Sequence, residues 1–523
     1  MGRAGRVVVI GSGPVGAVYA RLLVESGSHV TMIDSGTIQS DPPGEHLGNA
    51  KVFQQTPNLF MDVTAARFET FSTPPGIFSR WRRSKYRRNY ENPKQKLFRN
   101  MPFASAVYAV GGMSTIWTAS CPRHTDFELP SVIPVDEWRE LLDVADHLLA
   151  VSTETFDASP VGEAILDQLN GRNGREYHQL PVAASPGDAP GTVRWTGSAV
   201  VLGPLLEDET YAERFEIRPE HRAEELVHDN GVVTAVKVRD LISNNVTTLE
   251  ADAVVVAAGS FLTPRLLWQS GITPDALGHY LHDHTQSGVR VSMSKKMLKR
   301  LRGELGNPAR EDPLPIAQHA TPPMIGVEPT EAKPWHGQIH GSGKKFIYTG
   351  GEDVRRMLDM SYYGMVTPRY KNHISFSETL EDRFGQPQIT IHFRWSWGDV
   401  WRMIRMWWDM IRTAKKLGKL KSIPIISPPG TTLHLMGTYR MGTEATREES
   451  VTDTDSRVWG FDNLYLGGLG LIPEPNASNP TNVACAMAVK GASALTERSL
   501  DELRAVLVDE QIDLTAVEQR AGS

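Results

Sequence analysis

The sequence predicts an α/β fold, α+β over the whole chain, in which one nucleotide-binding unit is assembled from distant pieces and a second unit is built on a mostly antiparallel sheet. Three features predict it. The chain starts with an apolar, β-branched run, Arg6–Ile10, that passes through a glycine-rich turn into an apolar-periodic stretch and then a second strand-like run, His29–Ile33. Buried-strand patterns return far along the chain at Ala253–Ala258 and Asn463–Leu466. Between them, His373–Ser377 and Gln388–Phe393 alternate apolar and polar residues on either side of a Gly385-Gln-Pro turn, as antiparallel strands do.

The opening unit reads as βαβ. Gly11-Ser-Gly13-Pro-Val-Gly16 forms the turn, Ala17–Val24 the helix, Gly27 the stop, and Asp34 ends the second strand. In such a unit Gly11 permits the sharp turn, Gly13 lets the backbone approach a pyrophosphate, and Gly16 lets the helix pack closely on the strand. The helix amino terminus offers unpaired N–H groups and a partial positive charge to phosphates, and Asp34 can accept the hydroxyls of an adenosine ribose. The flanking strands and the acid make this a dinucleotide-binding pattern rather than a bare glycine turn, without separating FAD from NAD.

The later elements follow in order. Phe215–Pro219 and Gly231–Asp240 read as strands around a helix-poor connection, and Ala253–Ala258 runs into Gly259-Ser-Phe-Leu-Thr-Pro264. Asn463–Leu466 precedes Gly467-Gly-Leu-Gly470 and, after Asn479-Pro480, a helical pattern from Thr481 to about Leu500. Residues 296–350, rich in Pro, Gly and Lys, read as a long mobile loop. The chain has no internal repeat.

Composition narrows the partners. The 523 residues suffice for two large units, and 55 basic against 61 acidic side chains leave a net charge of −6, which points away from nucleic acid and from a membrane surface and toward a small molecule. The two cysteines, Cys121 and Cys485, make neither a stapled scaffold nor a cysteine-rich zinc site. No apolar run approaches the ~18 residues of a membrane span, and the opening residues do not form a secretory leader. A soluble, cytoplasmic protein is the simplest expectation.

Motifs spread from Val7 to about Thr496 resemble the glucose-methanol-choline (GMC) oxidoreductase family. They are the opening βαβ, Val254–Pro264, Leu277-Gly-His-Tyr-Leu-His-Asp-His284, His434-Leu-Met-Gly-Thr438 with Arg440-Met-Gly442, and Arg457–Leu466 leading to Asn479-Pro480-Thr481. Within the family, Gly111-Gly-Met-Ser-Thr-Ile-Trp-Thr118 and the Asn479-Pro-Thr ending are similar to the pyranose oxidase branch, including bacterial glycoside 3-oxidases. The resemblance implies a Rossmann-like FAD-binding domain from residues 1–70, 105–150, 210–290 and 430–505. A substrate-binding domain and loops would come from 71–104, 151–209 and 291–429, and a tail from 506–523.

The resemblance also implies chemistry. His434 matches the catalytic base and Asn479 its partner at the reacting oxygen. Gly111, Gly112, Thr115, Thr118, Gly468 and Thr481 join Gly11, Gly13, Gly16 and Asp34 as FAD contacts. Where fungal members of the branch carry a histidine bonded to the flavin, this chain has Ile116, which implies non-covalent FAD. The implied reaction oxidises a secondary hydroxyl, C3 preferred, of a glucosyl unit in a C-glycoside or other glycoside to a ketone, with O2 reduced to H2O2. Pyranose 2-oxidation of free sugars, a sugar dehydrogenase using a quinone or other acceptor, and a non-enzymatic flavin-binding regulatory module are the alternatives. Segments around His336–Gly350 and Pro102–Ala106 are expected to orient the sugar.

Other signals carry less. His279, His282, Asp283 and His284 could be taken for metal ligands, but without a further acidic or cysteine pattern no metal is expected. Arg80–Tyr90 interleaves basic and aromatic residues in an otherwise acidic chain, and a solvated face, a subunit contact or a rim that attracts polyphenolic aglycones fits it better than nucleic acid. Trp401, Ile404, Trp408 and Ile411, with Trp407 beside them, recur at helical spacing, which suits a core or subunit-interface helix and is compatible with a homo-oligomer. Asn476-Ala-Ser matches a glycosylation triplet, discounted for want of a leader. His340-Gly-Ser-Gly-Lys344 lacks the first glycine and the hydroxyl residue of a phosphate loop.

Overall fold

The computed structural model describes residues 5–55, 57–74, 91–156, 159–171, 175–187, 192–305, 322–341 and 354–508. Arg80–Tyr90 lies outside them, as do residues 342–353 and 509–523.

Two sheets organise the chain. The first is wholly parallel, in the order Leu464–Leu466, Ala253–Val256, Arg6–Ile10, His29–Ile33, Phe215–Arg218. Two of its inner strands, Arg6–Ile10 and Ala253–Val256, are nearly continuous runs of buried β-branched residues because both faces are covered, as a parallel sheet requires. The helix Pro14–Glu25 packs against Thr481–Thr496, which in turn packs on Val135–Leu148. Close approach there depends on small side chains: a Cβ on Gly491 would meet the buried Tyr19 hydroxyl at 1.9 Å.

The second sheet is antiparallel, in the order Gly418–Leu420, Thr285–Met293, Met357–Gly364, Trp335–Gly341, Met324–Val327, Tyr177–Gln179, with Ile425–Ile426 also pairing to Thr285–Met293. The helix Trp397–Leu417 lies across it, opened by a reciprocal cap between Ser396 and Asp399. Met406, Met410, Ala414 and Leu417 from that helix bury against Val291, Met360 and Ile339 in a core separate from that of the parallel sheet.

The opening unit has the boundaries expected at both strands. Elsewhere the structure departs from the sequence reading. The connection between Phe215–Arg218 and Val232–Asp240 is itself a strand, His221–Asp229, closed by a two-residue turn at Asn230-Gly231 with φ +48° and +81°. Asn-Gly favours that hairpin because both positions need positive φ. The hairpin forms a three-stranded antiparallel sheet with Val246–Glu250, so of these strands only Phe215–Arg218 joins the parallel sheet. The final helix stops at Thr496, and a second one, Leu500–Val508, runs through position 506.

Residues 296–350 are not one loop. They contribute the helix Lys295–Leu305 and two sheet strands, and Trp335–Gly341 is an interior strand. The strand Thr285–Met293 runs through position 290. His373–Glu381 and Pro387–His392 do pair antiparallel, but as a two-stranded sheet of their own. On the helix Trp397–Leu417 the apolar stripe is not core: Trp401 and Trp408 are 63% and 50% exposed, Ile404 is exposed too, and Ile411 alone of the four is buried. No helix among the described residues is long and apolar enough to cross a membrane.

Candidate active site

The carboxyl ends of the parallel strands form one end of a cavity of about 1300 Å3. Gly11 has φ +106°, and a Cβ there would sit 2.5 Å from the Ala257 carbonyl oxygen, so the turn admits only glycine. A Cβ on Gly16 would stand 2.0 Å from the Gly11 carbonyl oxygen, which fixes Gly16 by helix-to-strand contact. A Cβ added at Gly13 would meet nothing within 4 Å. The helix that follows has proline in its first turn and no side-chain cap, and Gly13, Pro14 and Val15 line the cavity. These groups form an open, electropositive cradle.

Asp34 stands beside it. One carboxylate oxygen accepts the Ser12 N–H at 3.0 Å and hydroxyl at 2.6 Å, and the other accepts the Gly36 N–H at 2.7 Å. Burial raises its pKa against those hydrogen bonds. Gly112, Thr118, Gly468 and Thr481 lie on the cavity wall, with Ile116 among them. Gly111 and Thr115 lie behind it. A Cβ on Gly111 would collide with Gly44 and Thr115 at 2.8 Å, and the Thr115 hydroxyl donates to the Gly112 carbonyl at 2.8 Å, so these two shape the turn from within.

The other end of the cavity is assembled from four remote segments. His434 follows Leu433, which has φ +63°, and its N–H donates to the Thr432 hydroxyl at 3.2 Å. Thr432 is itself held by Asp283, which also accepts the Gly430 N–H at 3.0 Å and whose carboxyl burial raises to about 6. Asn479, just before the helix Thr481–Thr496, brings its amide nitrogen to 3.3 Å from His434 Nε2. Gln338, from the interior of the antiparallel sheet, donates its amide N–H to Asn479 Oδ1 at 2.5 Å and accepts from His340 Nε2 at 3.0 Å. Behind His434, His284 brings Nδ1 to 3.0 Å from His434 Nδ1 and donates Nε2–H to Asn476 Oδ1 at 2.7 Å.

Burial, with smaller contributions from His336 and His124, pushes His434 down to about 3. Burial and the neighbouring His434 hold His284 well below the ordinary histidine range, and burial pushes His340 down to about 4. The imidazoles are therefore neutral near pH 7, and His434 Nε2 beside an amide donor can receive a proton from a hydroxyl held between them.

His434 and Asn479 thus meet as expected, whereas Gln338 and His340 were missed because their segment read as a loop. The signal lay in His336-Gly-Gln-Ile-His340, whose alternation puts Gln338 and His340 on one strand face. The His279–His284 group disperses: His279 stacks on Tyr370, His282 Nδ1 bonds the Tyr280 carbonyl, and His284 alone touches His434. Among the described residues no group of three or more His, Cys, Asp or Glu is placed to hold a metal. Asn476 is fully buried against His284, which removes it as a glycosylation site.

Family models described as GMC oxidoreductase match residues 202–286 and 368–488, spans that contain His284 and both His434 and Asn479. The chain is 31% identical to a pyranose 2-oxidase of Emericella nidulans, over 94% of this chain and 92% of that one. It is 32% identical to a C-glycoside 3-oxidase of Arthrobacter globiformis, over 94% and 95%. The crystal structure of pyridoxine 4-oxidase from Mesorbium loti superposes with a TM-score of 0.62 at 16% identity, over 94% of this chain and 99% of that one, which shows a shared fold. GMC oxidoreductases are FAD flavoproteins, and the glycine cradle, the open space over Gly13 and Asp34 at its side fit that dinucleotide. The chain belongs to the GMC oxidoreductase family and is an FAD-dependent oxidoreductase acting on CH–OH groups.

Proposed function

We propose that the protein oxidises a secondary hydroxyl, C3 by preference, of the glucosyl unit of a C-glycoside or another glycoside, with O2 reduced to H2O2 and FAD held non-covalently. The observation that carries it is the pairing of His434 Nε2 with the Asn479 amide on the cavity wall. Bound FAD supplies the hydride acceptor. The protein supplies the rest: His434 Nε2 takes the hydroxyl proton, and the Asn479 N–H groups hold the reacting oxygen and favour its developing negative charge. Gln338 occupies Asn479 Oδ1, so the amide can turn only its donor side toward His434.

A specific observation favours a glycoside over a free sugar. The cavity is lined near its rim by Ile423 and Ile425, 83% and 53% exposed, an apolar surface that an aglycone would cover. The relatives named above include both a pyranose 2-oxidase and a C-glycoside 3-oxidase. Ile116 on the cavity wall offers only hydrocarbon, with no group to bond a flavin.

Anaerobic mixing of the yellow holoprotein with glucose, simple O-glucosides and aromatic C-glucosides, followed by air, tests the reading. Bleaching by the C-glucoside and recovery in air is expected. Bleaching by free glucose alone favours pyranose 2-oxidation, bleaching that only a quinone reverses favours a dehydrogenase, and no bleaching by any of them favours a flavin-binding module. Acid precipitation should leave the chromophore in the supernatant; yellow colour in the pellet would contradict non-covalent binding.

A further inference from the structure

The group behind His434 decides which of its nitrogens is bare. Asn476 Oδ1 can only accept, so His284, 2.7 Å away, places its proton on Nε2. The amide is oriented independently, because its nitrogen faces the Met436 sulfur at 3.5 Å. The His284 ring is buried, and among the described residues its nitrogens bond only Asn476 and His434; with one proton per neutral ring its Nδ1 carries a lone pair. That lone pair stands 3.0 Å from His434 Nδ1. Two lone pairs cannot face each other at hydrogen-bond distance, so His434 carries its proton on Nδ1.

We infer that His284 is a positioning residue: through the chain Asn476–His284–His434 it fixes the tautomer of His434 so that Nε2, the atom beside Asn479, is the bare one. The inference rests on the reading of His434 as the base, and it deepens that reading. His284 does not touch the substrate. It also gives the imidazolium formed on proton uptake a permanent acceptor at Nδ1, a role that a carboxylate fills in other histidine-based sites. A neutral imidazole fills it here without adding charge to the sugar cavity.

Nitrogen-15 NMR of the labelled holoprotein, with the His434 signals assigned by their loss in H434A, reads the tautomer directly. Nδ1 protonated and Nε2 bare is expected, and a proton on Nε2 overturns the inference whether or not any sugar reacts. The kinetic arm compares H284L with H284N, whose amide oxygen falls near the place of the imidazole Nδ1. Flavin reduction by an aromatic C-glucoside should slow in H284L by ~10-fold or more, as when a base loses the partner that sets its tautomer, with the sugar dissociation constant unchanged. H284N should recover most of that loss. H284L as fast as the parent, or H284N as slow as H284L, overturns it. Should H284L fail to bind flavin, the NMR result on the parent decides the question. A parent protein that no sugar reduces would sink the proposed function instead, leaving the tautomer result standing.

Discussion

The two ends of the cavity are built in opposite ways. At the nucleotide end, Gly11, Gly13, Gly16 and Asp34 lie on one continuous strand–turn–helix–strand segment, and contacts of 2.0 to 2.5 Å for an added Cβ dictate two of the glycines. At the catalytic end, His284, Gln338, His434 and Asn479 come from four separate segments, of which only that of Gln338 is a sheet strand, and are joined by side-chain hydrogen bonds of 2.5 to 3.3 Å. The first end is determined by local sterics. The second exists only once both sheets have packed.

Substitutions should separate the two modes. The largest effect is expected for G16A, whose methyl group meets backbone with no side chain to yield: holoprotein should fail to accumulate, or lose ~1–3 kcal/mol or more in denaturant unfolding. G13A has open space in the protein itself and should fold normally while binding FAD more weakly, as measured by flavin release. Equal stability of the two variants would break the distinction. Next in size is H434A, which should keep flavin and slow its reduction by ~10²–10⁴-fold, the usual range for a lost general base; unchanged reduction removes His434 from the chemistry.

Q338L should be milder. Freed from Gln338, the Asn479 amide can rotate, and a cost of about 1 kcal/mol per lost hydrogen bond corresponds to a roughly five-fold slower flavin reduction. No change in rate would mean that packing alone orients Asn479.

A further effect is one of pH. His434 at about 3 and His282 and His340 at about 4 bind protons far less readily folded than unfolded, where histidine titrates near 6.5. Below about pH 6.5 the unfolded chain therefore gains protons that the folded one refuses, and stability falls with acidification by up to ~1.4 kcal/mol per pH unit per group. His178 works in the opposite sense, since Glu328 outweighs its burial. The melting temperature should drop between pH 7 and pH 5, and H340N should flatten that slope. A flat profile in the parent would mean that the buried imidazoles gain protons in the folded state.

Legibility in the sequence followed the same division. The first strands, the glycine turn and Asp34 were readable because each role is settled by near neighbours. The hairpin at Asn230-Gly231 is also local, since both turn residues need positive φ, but the polar run His221–Asp229 lacks the apolar pattern that marks a strand. Gln338 and His340 were hidden by a composition that suggested a loop, although their alternation with Gly337 and Ile339 fits the strand they occupy. Gly111 and Thr115, which motif similarity brings to the cofactor, also hold the turn together through their own contacts, and these the motif does not spell out.

By itself the sequence determined the βαβ cradle, the family motifs and the identities of the imidazole and the carboxamide, because backbone sterics and residue chemistry are carried by the chain wherever it goes. Only the tertiary structure decided which nitrogen of His434 faces Asn479, what holds that amide, and which apolar residues rim the cavity. Those depend on distances between segments that no local pattern encodes, and a hydrogen bond has direction only once both partners have been brought within about 3 Å.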